Sequence, residues 1–297
     1  LPPLALTAIE LFANAHVMWN QLYTGYSENA NSAYVATATD TITTIQDQTS
    51  ASFYRIDRTT TRVDSAALNE GLALGYNQLS SYSSANNPQA IALLNSLGYS
   101  SVGEFSTRYA EPILAVDALL GVKYAIAEHA PSGYAAMTEI ADTASAVYEN
   151  PYALSVGVMA SNDIQNCTLK GENPFEKQND LYSKILGREV MLYTKIEAKN
   201  TEDDENLRQW NATVPSGSIG YLYINKDATA GSYWPVTLTI DQRTIGNEAW
   251  RFDNNIRQIA DASDSPSQHT VTCPKTMSRS FTPSIWTFSS RLLTSLR

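Results

Sequence analysis

The chain of 297 residues contains little charge and almost no cysteine. Only 17% of its residues are Asp, Glu, Lys or Arg, against about 25% in a typical soluble domain. Acidic residues outnumber basic ones by 30 to 20, and the formal net charge is −10. Nucleic acids are therefore not expected as partners, because contacts with phosphate need clustered Lys and Arg.

The two cysteines, Cys167 and Cys273, lie too far apart for a CxxC metal or redox motif. They are either two buried thiols or one long-range disulfide, and the sequence leaves both possibilities open. An apolar run of about 18 residues, the length that a transmembrane helix needs, is also missing. The best run, ILAVDALLGVKYAIA at 113–127, is interrupted by an aspartate, a glycine and a lysine. With its start at LPPLALTAIE, the chain reads as a soluble piece of a longer protein.

The signatures of common catalytic and cofactor sites are missing as well. The histidines His16, His129 and His269 are widely separated and lack metal-ligand spacing, and no GxSxG or glycine-rich phosphate motif occurs. We therefore expect no cofactor and no metal. Glycosidases need only two carboxylates, and four flank the predicted α/β segment, where they are equally well explained as surface charges or helix-end partners. These four are Glu104, Glu111, Asp117 and Glu128.

The first half of the chain predicts helices combined with a few strands. Residues 4–22 carry apolar residues at helical spacing, which indicates a helix that packs on the domain or lies beside a membrane. Asn87 and Pro88 begin a second helix, Pro112 begins a third, and each of these ends at a glycine. Strands are predicted at 52–58, at 122–128 and on both sides of Pro151. Helices alternating with strands indicate an α/β layer.

After about residue 170 the pattern changes to short strands with alternating apolar and polar residues. The segments with this pattern are 188–200, 218–227, 234–242, 269–273 and 284–288. Several such strands separated by polar turns indicate an antiparallel β-sandwich. The predicted fold class is therefore α+β, with a mixed α/β domain and its N-terminal helix over 1–170, followed by a jelly-roll-like β-sandwich domain over 171–297.

Four sequence blocks occur in an order and spacing that resemble bacterial YfhO-type membrane proteins. They are FYRIDR (53–58), LALGYNQLSSYSS (72–84), LLGVKYAIA (119–127) and YENPYALSVGVMASND (148–163). In addition, ELFANA (10–15) resembles the segment that follows a membrane span in that family. The resemblance extends over most of residues 10–163.

This resemblance implies that the parent protein is a polytopic glycosyltransferase of the GT-C type, which transfers sugars from lipid-linked donors to cell-envelope polymers such as lipoteichoic acid. Its catalytic carboxylate is expected in an early extracytoplasmic loop outside this chain, so we assign no catalytic residue here. The chain itself corresponds to a large extracytoplasmic domain next to the membrane surface, without activity alone. The implied partners are the transmembrane remainder of the same protein and a cell-envelope glycan or lipid-linked sugar.

The polar stretch at 69–88 is the candidate contact with such a glycan. Tyr76, Asn77 and Tyr82 offer aromatic faces together with hydroxyl and amide groups, which suit the C–H faces and hydroxyls of sugars. The same side chains suit a loop that covers the α/β core equally well. Two other functions stay open, a secreted carbohydrate-binding or adhesion protein and a glycoside hydrolase with a carboxyl pair across a cleft.

Overall fold

We describe the protein from a computed structural model. The structure describes residues 3–23, 28–59, 69–102, 104–142, 145–166, 168–204, 207–225, 238–245, 254–274 and 283–289. The chain forms two compact units, Leu1–Thr49 and Ser50–Arg297.

The first unit contains two helices, α1 (Pro3–Tyr23) and α2 (Glu28–Gln48). On α2, Ala38, Ile42 and Ile45 are buried, and their spacing of four and three residues places them on one helical face. The helix predicted at the start of the chain is confirmed as α1, but its large apolar side chains are exposed. The apolar spacing in α1 therefore does not mark a buried stripe.

The second unit begins with a four-stranded sheet. Its strands are β1 (Arg55–Arg58), β5 (Val122–Ala127), β6 (Ala135–Asp142) and β7 (Ser145–Glu149), in the order β1-β5-β7-β6. β1 and β5 are parallel, and the other neighbours are antiparallel. A parallel pair needs a crossover connection, and here the crossover contains three short helices and a small antiparallel sheet. These are α3 (Glu70–Leu74), β2 (Ser81–Tyr82), α4 (Pro88–Ser96), β3 (Ser100–Val102), β4 (Ser106–Arg108) and α5 (Leu114–Leu119).

The local sequence determines both ends of α4, as predicted. The side-chain oxygen of Asn87 accepts hydrogen bonds from the backbone N–H groups of Gln89 and Ala90, at 3.0 and 3.4 Å. Pro88 occupies the first turn, where a missing N–H is tolerated. Just after the helix, Gly98 has a φ of +112°, which side chains with a Cβ atom rarely adopt.

Replacing Gly98 with alanine is expected to lower the free energy of unfolding by about 3 kcal/mol, because backbone strain and overpacking act together. The added Cβ would lie 2.6 Å from Cδ1 of Ile256 and 3.1 Å from Cδ1 of Ile113. Urea denaturation of the purified chain measures the loss. Gly75→Ala is the matched control, since Gly75 has a φ of +75° but nothing lies within 4 Å of an added Cβ. We expect the control to lose only about 1 kcal/mol, and an equal loss in both variants would contradict the packing argument.

Helix α6 (Pro174–Leu186) follows a 3₁₀ turn at Asn162–Asn166 and leads into the β-sandwich. The strands of the sandwich are β8 (Tyr193–Ile196), β9 (Ala198–Asp203), β10 (Leu207–Val214), β11 (Ser218–Asn225), β12 (Leu238–Ile240), β13 (Arg243–Ile245), β14 (Asn254–Ala260), β15 (Ser267–Pro274) and β16 (Ser284–Ser289). One sheet has the order β13-β12-β15-β10-β9 and the other has the order β14-β11-β16-β8. The strand pairs within both sheets are antiparallel.

Strand β10 illustrates how residue alternation produces the sandwich. Trp210, Ala212 and Val214 are buried, whereas Asn211 and Thr213 between them are exposed. The buried residues pack in one hydrophobic cluster with residues from the facing sheet and from their own sheet. These include Leu222, Ile224, Leu238, Ile240, Ile259, Val271 and Ile285. The predicted α+β fold with a C-terminal antiparallel sandwich is therefore confirmed.

An aromatic cluster connects α6 with the strands of the sandwich. The ring centroid of Phe175 lies 4.7 Å from that of Tyr193, 5.9 Å from Tyr221 and 5.5 Å from Trp286. The same core includes Tyr99 and other buried residues of the α/β part. One continuous core thus extends across residue 170, and a domain boundary near that residue stays a prediction.

The region after Pro151 differs from its predicted structure. The residues that follow Pro151 form irregular chain rather than the second predicted strand. Val156 and Met159 in this region are exposed, so these apolar side chains do not pack on a sheet.

Cys273 is a free buried thiol, and burial raises its pKa to about 11. Cys167 lies outside the described residues.

Candidate functional site

The carboxyl ends of the parallel strands β1 and β5 meet at one edge of their sheet. The backbone N–H of Thr59 donates to the carbonyl of Ile126 at 3.0 Å, which holds the two strand ends side by side. Glu128 and His129 follow β5 at this edge, and both are exposed. In sheets with parallel strands, ligands often bind at the carboxyl ends of the strands.

A cleft of about 230 Å³ lies at this edge, between the sheet and the β-sandwich. Its hydrogen-bonding side chains are Glu111 before α5, Glu128 and His129 after β5, Arg243 on β13, and Arg257 and Gln258 on β14. Carboxylate, imidazole, guanidinium and amide groups together offer both donors and acceptors. The volume is below the roughly 300 Å³ at which sites for drug-sized ligands begin, so the cleft suits one unit of a larger ligand.

Glu111 connects the two sides of the cleft. Its Oε1 accepts a hydrogen bond from the backbone N–H of Gln258 at 3.2 Å, and its Oε2 lies 4.0 Å from Nη1 of Arg257. Arg257 is buried, whereas Arg243 is exposed and donates from Nη2 to the carbonyl of Gln258 at 3.1 Å. These contacts fix both arginines relative to Glu111.

The side chain of Gln258 is held by a second group of contacts. Its Nε2 donates to Oγ of Ser132 at 2.8 Å and to Oδ1 of Asp261 at 2.7 Å. Its Oε1 accepts from the backbone N–H of Ser132 at 2.9 Å, and the Ser132 hydroxyl donates to the same oxygen of Asp261. A binding site works best when its side chains are held in place in this way before the ligand arrives.

The structure brings together two of the four carboxylates that the sequence singled out. Glu111 and Glu128 line the cleft. Glu104 is exposed in the turn between β3 and β4, and Asp117 is buried within α5. Two of the four carboxylates that position in the sequence singled out therefore belong to the cleft, whereas its arginines were not predicted.

Asp117 forms the polar centre of the α/β core. Its Oδ2 accepts hydrogen bonds from the hydroxyls of Tyr109 and Tyr134, at 2.7 and 2.6 Å, and from the backbone N–H of Ile113 at 2.9 Å. The hydroxyl of Tyr99 donates to its Oδ1. Burial outweighs these bonds and raises the pKa of Asp117 to about 7. Because the carboxyl is 0% exposed, it stabilises the core rather than contacting a ligand.

The three predicted glycan contacts occupy different environments. Tyr76 donates its hydroxyl to Oε1 of Glu70 at 3.0 Å, and the same oxygen lies 3.2 Å from Nε of Arg58 in a pair whose side chains are 4% exposed. Asn77 is exposed and donates to a backbone carbonyl at 3.3 Å. Tyr82 is 55% exposed on β2. Among the residues that the structure describes, the lining of the cleft does not include these three.

A second buried carboxylate, Asp57 on β1, anchors this polar stretch. Its Oδ2 accepts from the backbone N–H groups of Leu79 and Ser80, at 2.8 and 3.1 Å. Its Oδ1 accepts from the hydroxyl of Ser80 at 2.6 Å. Burial raises the pKa of Asp57 to about 6 despite these hydrogen bonds. The uncharged polar composition of the stretch is thus explained in part by its contacts with β1.

Sequence reasoning did not identify Arg243, Arg257 and Gln258 as site residues. Gln258 is 147 positions from its partner Glu111, and the two arginines lie on separate strands of the sandwich. No local motif connects residues so far apart. The only available signal was that all three residues lie within 171–297, the range predicted as a sandwich; no strand was predicted at β13 or β14 themselves.

His269 belongs to a separate polar group on β15. Its Nδ1 lies 3.0 Å from Oδ2 of Asp241, and its Nε2 lies 2.8 Å from Oγ of Ser267. The other oxygen of Asp241 accepts from the backbone N–H of Thr270 at 2.9 Å. These bonds attach the turn after β12 to β15. We assign the group a structural role, since within the described part of the chain it does not line the cleft.

Within the described ranges, no group of three His, Cys, Asp or Glu side chains is arranged to hold a metal ion. None of the helices found in those ranges combines the length and the apolar character needed to cross a bilayer.

Comparison with known proteins identifies the family. No curated protein and no solved structure matches the chain. The family model described as bacterial membrane protein YfhO matches residues 3–244. The match extends from α1 through the α/β part to Arg243 of the cleft, which is well over half of the chain. The chain therefore belongs to the family of the bacterial membrane protein YfhO.

Proposed function

We propose that residues 50–297 form an extracytoplasmic glycan-binding part of a polytopic membrane glycosyltransferase that modifies cell-envelope polymers. The cleft holds the glycan, and the chemistry takes place in the transmembrane remainder of the same protein. The observation that carries the proposal is the cleft itself, in which exposed Glu128, His129 and Arg243 surround a fixed Glu111–Arg257 pair. Membership in a membrane-protein family supports a place at the membrane.

The chemistry of the cleft suits sugar hydroxyls and a neighbouring phosphate. A sugar hydroxyl both donates and accepts, and Glu128 supplies an acceptor, Arg243 supplies donors, and the imidazole of His129 supplies a further hydrogen-bonding group. A guanidinium group also binds phosphate through two parallel hydrogen bonds. Polymers such as lipoteichoic acid contain both kinds of group, which makes them the preferred ligands.

We expect the purified chain to bind deacylated lipoteichoic acid in isothermal titration calorimetry. The double variant His129→Ala/Arg243→Gln is expected to weaken this binding by at least about tenfold, since hydrogen bonds to charged groups contribute roughly 1.5–3 kcal/mol each. Both side chains are exposed, so the fold should be kept, and circular dichroism checks this.

A matched charge change outside the cleft serves as the control for this titration. Arg188 is exposed after α6, and Arg188→Gln, which removes one positive charge as Arg243→Gln does, should bind the polymer as the wild type does. Unaltered affinity in the cleft variant, or an equal loss in both variants, would reject the cleft as the binding site. Parallel titration with a neutral gluco-oligosaccharide separates recognition of hydroxyls from recognition of phosphate.

Tyr82 is proposed as a second glycan contact. Its half-exposed ring offers a face on which a sugar can stack, whereas the hydroxyl of Tyr76 is already bonded to Glu70. Tyr82→Ala, added to the same titration series, tests this contact without removing a buried side chain. An affinity equal to that of the wild type would exclude Tyr82 and leave the cleft hypothesis intact.

A glycoside hydrolase is the second candidate function, because Glu111 and Glu128 line one cleft. Glycosidases use a general acid and a second carboxylate that face the same glycosidic bond. The two functions differ in a simple assay. Release of reducing ends from the neutral oligosaccharide by the wild type, but not by Glu128→Gln, would favour the hydrolase over a binding role.

A further inference from the structure

Gln258 on β14 is bonded through its backbone to charged residues on both sides of the cleft. Its N–H donates to Oε1 of Glu111 at 3.2 Å, and its carbonyl accepts from Nη2 of Arg243 at 3.1 Å. Among the described strands, β14 lies at the end of its sheet and pairs with β11. In an antiparallel pair, alternate residues direct both backbone groups away from the neighbouring strand. Gln258 has this orientation, so its backbone can bind side chains across the cleft.

The side chain of Gln258 is occupied by contacts within the protein. It makes two hydrogen bonds with Ser132, at 2.8 and 2.9 Å, and one with Asp261 at 2.7 Å. Both amide hydrogens and the amide oxygen therefore have partners. Although Gln258 lines the cleft, its amide fixes the position of β14 and is not the group that binds a ligand.

Ser132 lies in a turn that is fixed to the α/β core. The backbone N–H of Tyr134 donates to the carbonyl of Pro131 at 3.2 Å, which closes the turn around Ser132. The hydroxyl of Tyr134 donates to Oδ2 of the buried Asp117 at 2.6 Å. Ser132 itself is buried. The side chain of Gln258 thus ties β14 to a part of the protein that the core holds in place.

We propose that Gln258 is a positioning residue, which holds Arg243 in the orientation that binds a phosphate of the glycan. The inference rests on the proposed function of the cleft. Arg243 is exposed, and within the described part of the chain its hydrogen bond is to the carbonyl of Gln258. A long side chain loses rotamer freedom when it binds a ligand, and a site that restricts this freedom beforehand binds more tightly. The position of this carbonyl therefore determines how well the guanidinium is placed.

Titration of the full chain with deacylated lipoteichoic acid tests the proposal. Gln258→Leu removes the three side-chain hydrogen bonds and keeps the backbone. It should weaken binding about fivefold, the factor that corresponds to one ordinary hydrogen bond. The matched control is Gln209→Leu on β10, where Nε2 of Gln209 donates to Oγ1 of Thr201 at 3.2 Å outside the described lining of the cleft. This control should bind the polymer as the wild type does.

A double-mutant cycle distinguishes positioning from a general loss of structure. Because Gln258 acts through Arg243, Gln258→Leu should change the affinity by less than about twofold in a chain that already carries Arg243→Gln. A residue with a purely structural role would weaken binding by the same factor in both backgrounds. Losses that multiply in this way would overturn the proposal, and so would wild-type affinity in Gln258→Leu.

Two variants of Ser132 keep the test decisive if Gln258→Leu proves unstable in urea denaturation. Ser132→Ala removes the hydroxyl that accepts from Gln258 and should weaken binding about threefold. Ser132→Thr keeps a hydroxyl and should bind as the wild type does, whereas equal affinities of the two variants would contradict the role of this hydroxyl. A wild-type chain that does not bind the polymer would reject the proposed function, and the positioning role with it. If the wild type binds and only the variants of Gln258 and Ser132 behave like it, the positioning role alone fails.

Discussion

Asp117→Ala is expected to lower the free energy of unfolding by about 5 kcal/mol, the largest loss that we expect from a single substitution. Three tyrosine hydroxyls and one backbone N–H lose their acceptor in a core where Asp117 itself is 0% exposed. Each buried donor left without a partner costs about 1–3 kcal/mol, and the cavity left by the carboxyl adds to this. Urea denaturation, followed by circular dichroism, measures the change.

Two control variants distinguish the loss of the buried hydrogen bonds of Asp117 from the loss of stability that removing any carboxylate would cause. Asp180→Ala removes a carboxylate that pairs with Lys184 at 2.5 Å near the surface, and should cost less than about 1 kcal/mol. Tyr134→Phe removes one of the four donors to Asp117 and should cost about 1–2 kcal/mol. If Asp117→Ala were no more harmful than Asp180→Ala, the hydrogen bonds around Asp117 would not stabilise the fold.

The parts of the fold that could be predicted from sequence are those whose cause is local. Asn87 and Pro88 begin a helix because a side-chain acceptor and a fixed φ act within three residues. The alternation in β15 appears in the sequence because one face of this strand, with Val271 and Cys273, packs in the sandwich core. Such patterns need no knowledge of the rest of the chain.

Helix α5 shows where local patterns stop being informative. Five of its six residues, including Asp117, are buried, so it has no exposed face and no apolar periodicity that would reveal its orientation. The sequence therefore singled out Asp117 as a carboxylate that flanks the α/β unit, but it could not show that the residue is buried in the core. That distinction depends on Tyr99, Tyr109 and Tyr134, which reach it from three other segments.

The candidate site was predictable only in part for a similar reason. Glu111 and Glu128 were noticed only because they flank the predicted α/β unit. The cleft becomes a site only when β13 and β14 place Arg243 and Arg257 opposite them. That placement depends on how the sandwich packs against the sheet, which no pattern of single residues encodes.

The stability of the protein is expected to fall as the pH rises from about 4 to about 8, contrary to the usual behaviour of aspartates. Burial raises the pKa of Asp57 to about 6 and that of Asp117 to about 7, above the value of about 3.9 in an unfolded chain. Between these values the folded state binds more protons than the unfolded state, so deprotonation favours unfolding. The stabilisation is complete below about pH 4 and is lost as the pH passes through 6 and 7, by an amount on the order of 7 kcal/mol.

Variants that cannot ionise at these two positions provide the decisive comparison. Asp57→Asn/Asp117→Asn keeps polar oxygens at both sites, and its free energy of unfolding should change much less over the same pH range. The other carboxylates are unchanged in this variant, so any remaining change of the free energy of unfolding with pH comes from them. Chemical denaturation at pH intervals, with wild type and variant in parallel, gives both slopes. The prediction would be contradicted if the wild type became more stable towards pH 8, or if both proteins had the same slope. The two buried carboxyls would then not control the pH dependence, and the core around α5 would have to open enough for water to reach them.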